Sequence, residues 1–332
     1  MAWYCAATCV LMVIMMPWLV DPFGMFLMRL EWLALTLAVI ALSYYLTHSP
    51  RFSGYQPYTG PLTHFLRVLL QMAWLALWYP DTYEFNRCFN NLDHLFAAAD
   101  QQLFGCQPSI VFSQQLPQAI WSEAFNLGYW SYFPMMAVLL AAIFWIEWRS
   151  AAKTAVHRTD VCIPSLWGRE GAFQQVAATI LTAFFLYYAV YIFLPVAGPQ
   201  FYFQAVGVED ILQGHFPALG TYFSSHTEML PSPGYADGLF YHLVSDAQSM
   251  GERPTAAFPS SHIGISTIVL LLTRRHVPRL LPFLLPLWVL LFCATVYIQA
   301  HYLIDSIAGL VTAPFVLYLA HRLVVSMRLH RS

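Results

Sequence analysis

Long apolar runs, separated by very few charges, dictate what this chain can become. A helix crossing the hydrocarbon core of a bilayer needs about 20 apolar residues. Runs that reach or approach that length occupy residues 3–20, 25–47, 62–80, 129–148, 173–195, 260–273, 280–298 and 303–325. Only 10% of the 332 residues are charged and 59% are hydrophobic, whereas a soluble domain carries about 25% charged residues. The pattern predicts an all-α integral membrane protein with eight spans, the sixth cut short by Arg274 and Arg275. A net charge of −2 offers no basic field for nucleic acid. No Lys or Arg precedes the first apolar run, so a cleaved signal peptide is not expected.

The basic residues orient these spans. With the N-terminus in the cytoplasm, the inner positions hold Arg51, Arg67, Arg149, Lys153, Arg158, Arg169, Arg274, Arg275, Arg279, Arg322, Arg328 and Arg331, twelve of the 15 basic residues. Arg29, Arg87 and Arg253 fall outside. The positive-inside rule accepts this topology and rejects its inverse. Both termini are therefore expected in the cytoplasm. Two outer segments, 81–128 and 196–259, are too long for simple connections, and loops of that length in compact domains are usually functional or disordered. Their many aromatics favour packing at the membrane interface. Cys88 and Cys106 share one outer segment and are candidates for a disulfide; no cysteine pair has metal-ligand spacing.

Two short polar segments stand out against this background. His262 opens the sixth run within Ala257-Phe258-Pro259-Ser260-Ser261-His262, and His301 follows the seventh within His301-Tyr302-Leu303-Ile304-Asp305. A hairpin through the membrane returns the chain to its starting face, so the two histidines can meet there. Pro259 suits a helix start, where the amides and hydroxyls of Ser260 and Ser261 would form an anion seat. Asp305, four residues after His301, falls on the same helix face. A carboxylate so placed can hold one ring nitrogen and leave the other nucleophilic. Histidines at membrane depth can also be structural, yet an ionisable residue there is a functional hypothesis by default.

These residues resemble the second and third signatures of the type 2 phosphatidic acid phosphatase superfamily, Pro-Ser-Gly-His and Ser-Arg-x5-His-x3-Asp. The resemblance covers roughly residues 62–325. It implies a six-helix catalytic membrane domain over 62–332, with outer-face loops 81–128 and 196–259, preceded by a two-helix extension over 1–61. It further implies that His301 attacks phosphorus to form a phosphohistidine, that His262 protonates the leaving alcohol, and that Asp305 orients His301. Ser260 and Ser261 would contact the phosphate oxygens. The implied substrate is a lipid phosphate or phospholipid, taken at the non-cytoplasmic face without metal or cofactor.

The departures from the family pattern are informative. The usual arginine six residues before the nucleophile is Thr295, and Ala294 stands in place of serine. The usual first signature, Lys-x6-Arg-Pro, gives way to Leu194-Pro195-Val196-Ala197-Gly198-Pro199. This element, Thr295-Val296-Tyr297, and Asp100 to Gly105 with Pro108 are similar to the branch containing inositol phosphorylceramide synthases. Those enzymes pass a phosphoryl group to an alcohol, so a polyol acceptor enters as a second expectation. A phosphate site needs positive charge. Arg253, in the outer Arg-Pro pair, is a candidate clamp, with a solvated loop arginine as the alternative. His226 and His242 are further candidates, and Asp100 and Glu123 are candidates for acceptor hydroxyls or for capping. A non-enzymatic transporter or scaffold is the competing class, although the matched broken helices of transporters are not visible.

Overall fold

A computed structural model describes residues 1–49, 56–157 and 171–329. Arg51, Arg158, Cys162, Arg169 and Arg331 lie outside the described residues, as do the side chains of Lys153 and Arg328. Among the described residues the regular structure is helical throughout. The order is α1 (Ala2–Met15), α2 (Pro22–His48), α3 (Gln56–Ala73), α4 (Leu75–Asn86), α5 (Asp93–Phe104), α6 (Pro108–Gln115), α7 (Ala119–Trp130) and α8 (Tyr132–His157). It continues with α9 (Ala172–Phe193), α10 (Pro199–Val206), α11 (Val208–Leu212), α12 (Leu239–Gly251), α13 (Ser261–His276), α14 (Leu281–Tyr297) and α15 (Leu303–Leu329).

Among the described residues five stretches are long and apolar enough to cross a bilayer: Pro22–Leu46, Tyr132–Ser150, Ala172–Phe193, Pro278–Tyr297 and Leu303–Met327. The chain is thus a multi-pass, all-α integral membrane protein. The eight-run expectation exceeds this number for physical reasons. The first run yields a helix of 14 residues, about 21 Å at 1.5 Å per residue and short of a ~30 Å core. The third run is divided between α3 and α4 at Trp74. The sixth yields the 16-residue α13, whose last turn holds Arg274, Arg275 and His276.

Burial sorts the spans into centre and rim. In the most apolar window of α9, 67% of residues are buried inside the protein, against 17% in that of α2. The exposed Phe23, Leu33 and Leu37 of α2 are stable only against lipid. α13 is enclosed by α8, α9, α14 and α15, and its Ile263, Ile265, Ile268 and Val269 are fully buried. Its Ser266, Thr267 and Thr273 are buried as well, so α13 lies at the centre of the bundle. Gly309 of α15 permits its close approach, because a Cβ there would collide with the Ser260 carbonyl.

The N-terminal helices share this core. Tyr4 and Trp32 lie in the same apolar cluster as Phe185 and Ile268, and Tyr4 packs 4.5 Å from the Phe185 ring. Arg29, expected as an outer charge, is buried. Its guanidinium makes two hydrogen bonds to Asp81 at 2.9 and 2.8 Å and lies 5.5 Å from the Trp78 ring, tying α2 to α4.

The two outer segments carry short helices, with an irregular stretch over 213–238, and carboxylates cap helix starts both there and in the bundle. Asp93 accepts the amides of Ala197 and Gly198 at 2.6 and 2.8 Å, just ahead of α10. Asp100 accepts those of Leu303 and Ile304 at 2.9 and 3.1 Å, at the start of α15. Glu123 accepts those of Phe240 and Tyr241, both at 3.0 Å, in the first turn of α12. On α8, Glu147 does the same for Phe173 of α9 at 3.0 Å. Each satisfies orphan N–H groups and meets the positive end of a helix dipole. Capping, not acceptor binding, is thus what the structure records for Asp100 and Glu123. Cys88 and Cys106 are free thiols, and the Cys88 sulfur sits 3.3 Å from the Trp18 carbonyl oxygen instead.

Candidate active site

The hairpin of α13 and α14 returns to one end of the bundle and brings His262 and His301 together. His262 Nδ1 lies 3.3 Å from His301 Nε2. α13 begins later than expected. Pro259, expected at the helix start, precedes the N-cap Ser260, whose hydroxyl accepts the Ile263 amide at 3.4 Å. The two serine amides expected to face an anion are already engaged. Ser260 N–H donates to the Asp305 carbonyl at 3.0 Å. Ser261 N–H donates to the Tyr191 hydroxyl at 2.9 Å, and that hydroxyl donates to the Pro259 carbonyl at 2.9 Å. Buried backbone groups must find partners, and here the framework supplies them before any ligand can.

His301 is fixed from behind. Its ring Nδ1 is 2.9 Å from the Ala257 carbonyl, so Nδ1 carries the proton and donates it. Nε2 is left with its lone pair facing His262, which makes His262 Nδ1 the donor of the 3.3 Å contact. The His301 amide donates to the Thr295 carbonyl at 2.9 Å. Burial pulls the His301 pKa down to about 4, with the Ala257 bond opposing, so its Nε2 is unprotonated at neutral pH.

The Asp305 expectation changes in detail. Its Oδ2 lies 3.8 Å from His301 Nδ1, beyond hydrogen-bond reach. That oxygen instead accepts the Tyr302 amide at 3.0 Å, the reach-back half of a capping box at the start of α15. Its Oδ1 is buried with no hydrogen-bond partner among the described residues. The i,i+4 spacing brings Asp305 close to the ring, but the Ala257 carbonyl takes the proton.

A cavity of about 30 Å³ opens over the pair, large enough for only one or two waters. Its wall includes Ser261, His262, Ala300 and His301 from the two polar segments. It also includes Tyr79, Tyr129, Ala197, Gln200, Phe201, Glu252, Thr255, Ala256 and Ala257. Tyr129 and Tyr132 clasp the His262 ring, each with a centroid 4.6 Å away. One non-glycine residue of this wall has a positive φ, Ala256 at 68°, and Gln299, at 63°, lies two residues before His301. Such strain clusters at functional sites. Gly198, at φ 99°, admits the closest approach: a Cβ there would lie 2.7 Å from the Ala300 carbonyl.

Sequence reasoning overlooked Glu252, Tyr79 and Tyr129. Glu252 accepts the Tyr79 hydroxyl at 2.5 Å; burial pushes its pKa up, while the Tyr79 bond and Arg253 oppose. The available signal was its place beside Arg253-Pro254, in the outer segment leading directly to the first histidine.

The other expected residues lie behind or beside the cavity. Thr295 is fully buried, its hydroxyl 2.7 Å from the Phe292 carbonyl and 2.9 Å from the Ser306 hydroxyl. Arg253 donates to the Glu252 carbonyl at 3.0 Å and is not part of the cavity wall. His226 is exposed, stacked on Tyr222 at 4.0 Å. His242 is exposed on α12.

Among curated proteins and among solved structures nothing matches. A family model described as the PAP2 superfamily matches residues 159–319. The matched segment contains α13 and α14, both histidines and Asp305, and stops short of the N-terminal helices. Over this segment, just under half of the chain, the protein is similar to the PAP2 superfamily.

Proposed function

We propose that this membrane protein is a lipid phosphatase or phosphotransferase working through a phosphohistidine on His301. Its substrate is a lipid phosphate or phosphodiester taken from the non-cytoplasmic face. One observation carries the reading: His301 Nε2, held unprotonated by the Ala257 carbonyl, lies 3.3 Å from His262 Nδ1 beside a cavity. The Nε2 lone pair forms the N–P bond as the P–O ester bond breaks. The electron pair goes to the leaving oxygen, which His262 protonates from its imidazolium form. An acceptor, water or an alcohol, then gives its proton to His262 and attacks phosphorus, releasing His301.

At 3.3 Å the two rings are too close to admit phosphorus between them in line, so His262 must swing off His301 as substrate binds. Ser261 offers its hydroxyl to the phosphate oxygens. Ser260 and Thr295 support the same geometry, Ser260 by capping α13 and Thr295 by holding the His301 amide. Asp305 stabilises the positive charge that His301 acquires on phosphorylation, at the modest strength a 3.8 Å separation allows. Arg253 is the candidate phosphate cation, reaching the cavity by turning away from the Glu252 carbonyl. The outer-face placement, with both termini in the cytoplasm, rests on the basic-residue asymmetry. Leu194 to Pro199 and Thr295-Val296-Tyr297 favour an alcohol acceptor, as in an inositol phosphorylceramide synthase-like headgroup transferase.

The test is turnover of labelled lipid phosphates and phosphodiesters by purified protein, with and without polyols such as inositol. His301→Ala is expected to lower kcat by at least about 10⁴-fold and to abolish an acid-labile, base-stable phosphoprotein, with the folded protein retained. Wild-type turnover in that variant overturns the reading. Product identity, free phosphate or a new phosphodiester, decides the acceptor.

A further inference from the structure

Glu252 is an unexpected group in a cavity meant for phosphate. It shares a space of about 30 Å³ with His262 and His301, and among the described residues no Lys or Arg joins that wall. The neighbouring Arg253 directs its guanidinium to the Glu252 backbone carbonyl, 3.0 Å away. The carboxylate accepts the Tyr79 hydroxyl at 2.5 Å, and Tyr129 in the same wall stacks on His262 at 4.6 Å. A carboxyl group, turned towards its neutral form by burial and towards its charged form by the Tyr79 bond and Arg253, therefore lines the space that a phosphate would fill.

We infer that Glu252 is a specificity-determining residue that makes this cavity take the singly charged phosphate of a phosphodiester in preference to the phosphate of a monoester. The inference rests on the phosphohistidine reading, since it concerns the substrate of that same site. Its physics is charge counting. A phosphodiester carries one negative charge, whereas a monoester with a second pKa near 6 carries between 1.5 and 2 at neutral pH. Repulsion from a fixed carboxylate scales with that charge, and it is strong in a narrow, poorly solvated space. Arg253 turned in to the phosphate attracts both substrates and leaves the sign of the Glu252 contribution unchanged.

Glu252 also has a structural use, joining the end of α12 to α4 through Tyr79. Glutamine keeps that bond, because its amide oxygen accepts the same hydroxyl, and removes only the charge. The experiment measures kcat/KM for phosphatidylinositol and for phosphatidic acid, each in mixed micelles of one detergent, for wild type, Glu252→Gln and Glu252→Asp. Wild type is expected to favour the phosphodiester. Glu252→Gln should shift the diester-to-monoester ratio at least about tenfold towards phosphatidic acid, while Glu252→Asp keeps the wild-type order.

A wild-type preference for phosphatidic acid overturns the inference with no variant needed. So does a Glu252→Gln effect of equal size on both substrates, which would reduce the residue to a tether. If His301→Ala still abolishes turnover in either case, the phosphohistidine reading stands without the charge filter. Turnover of both lipids that survives His301→Ala overturns the two together.

Discussion

The carboxylates of the outer helices and the polar groups beside the histidine pair are alike in burial and differ in satisfaction. Asp93 and Asp100 are fully buried, and each accepts two backbone amides across elements. Asp305 is equally buried, yet one of its oxygens has no partner among the described residues. His301 has one ring nitrogen held by backbone and the other facing only His262. Buried polar groups are normally paired, and the unpaired Asp305 oxygen stands behind the histidine pair, outside the cavity wall. The comparison separates framework from chemistry: where both ends of a polar group are used, the residue holds helices together.

The largest effect expected on the cavity side, after loss of the nucleophile, is at His262. Replacing it by alanine should lower kcat by about 10²–10⁴-fold, the range of general acid–base catalysis, while the phosphoprotein still forms slowly from a substrate with a good leaving group. A variant with the wild-type rate on both good and poor leaving groups would move His262 to the framework side.

The pH profile sharpens the same contrast. A histidine with an ordinary pKa near 6.5 is only about 3% neutral at pH 5, whereas His301, with its pKa drawn down by burial to about 4, stays mostly neutral there. Depressed pKa means that the nucleophile is lost only as pH falls through about 4. The acid limb of kcat/KM, which reports the free protein, should therefore lie near pH 4, with roughly 30-fold more activity at pH 5 than an unperturbed imidazole allows. An acid limb centred at 6.5 would show that His301 is wetter than its burial implies.

Much of this was legible beforehand because apolar length, charge asymmetry and motif spacing are local properties. The spans at α2, α8, α9, α14 and α15 follow from runs of adequate length, and the meeting of His262 with His301 follows from a hairpin. What escaped depended on distant partners. Nothing near His301 in sequence indicates that Ala257, 44 residues earlier, would take its Nδ1 proton in place of Asp305. Nor does the Ser260-Ser261 pair reveal that Tyr191 and the Asp305 backbone would use its amides. Glu252 was hidden for a related reason: its meaning comes from Tyr79, 173 positions away. The short helices of the outer segments were not legible because their starts are capped from distant positions, α10 by Asp93 and α12 by Glu123.

The smallest expected effect tests the framework side. Asp100→Asn leaves one carbonyl oxygen where two oxygens held Leu303 and Ile304, and it places an amide donor against an N–H. Loss of a cap of this kind costs about 1–2 kcal/mol, roughly a tenfold shift in the folded population. Thermal unfolding in detergent should show a lower midpoint. The pH dependence gives a second signature. Burial pushes the Asp100 pKa up to about 6, against the two amide bonds, so the folded state holds its proton more tightly than the unfolded chain. That contribution is present below pH 4 and is lost as pH rises towards 6, and the asparagine variant should show a shallower fall in stability across that window. Per folded molecule, kcat/KM should change by less than about threefold, because His301 is held separately by Ala257 and Thr295. A hundredfold loss of kcat/KM at unchanged stability would place Asp100 among the groups that touch substrate, and satisfied hydrogen bonds would no longer distinguish framework from chemistry.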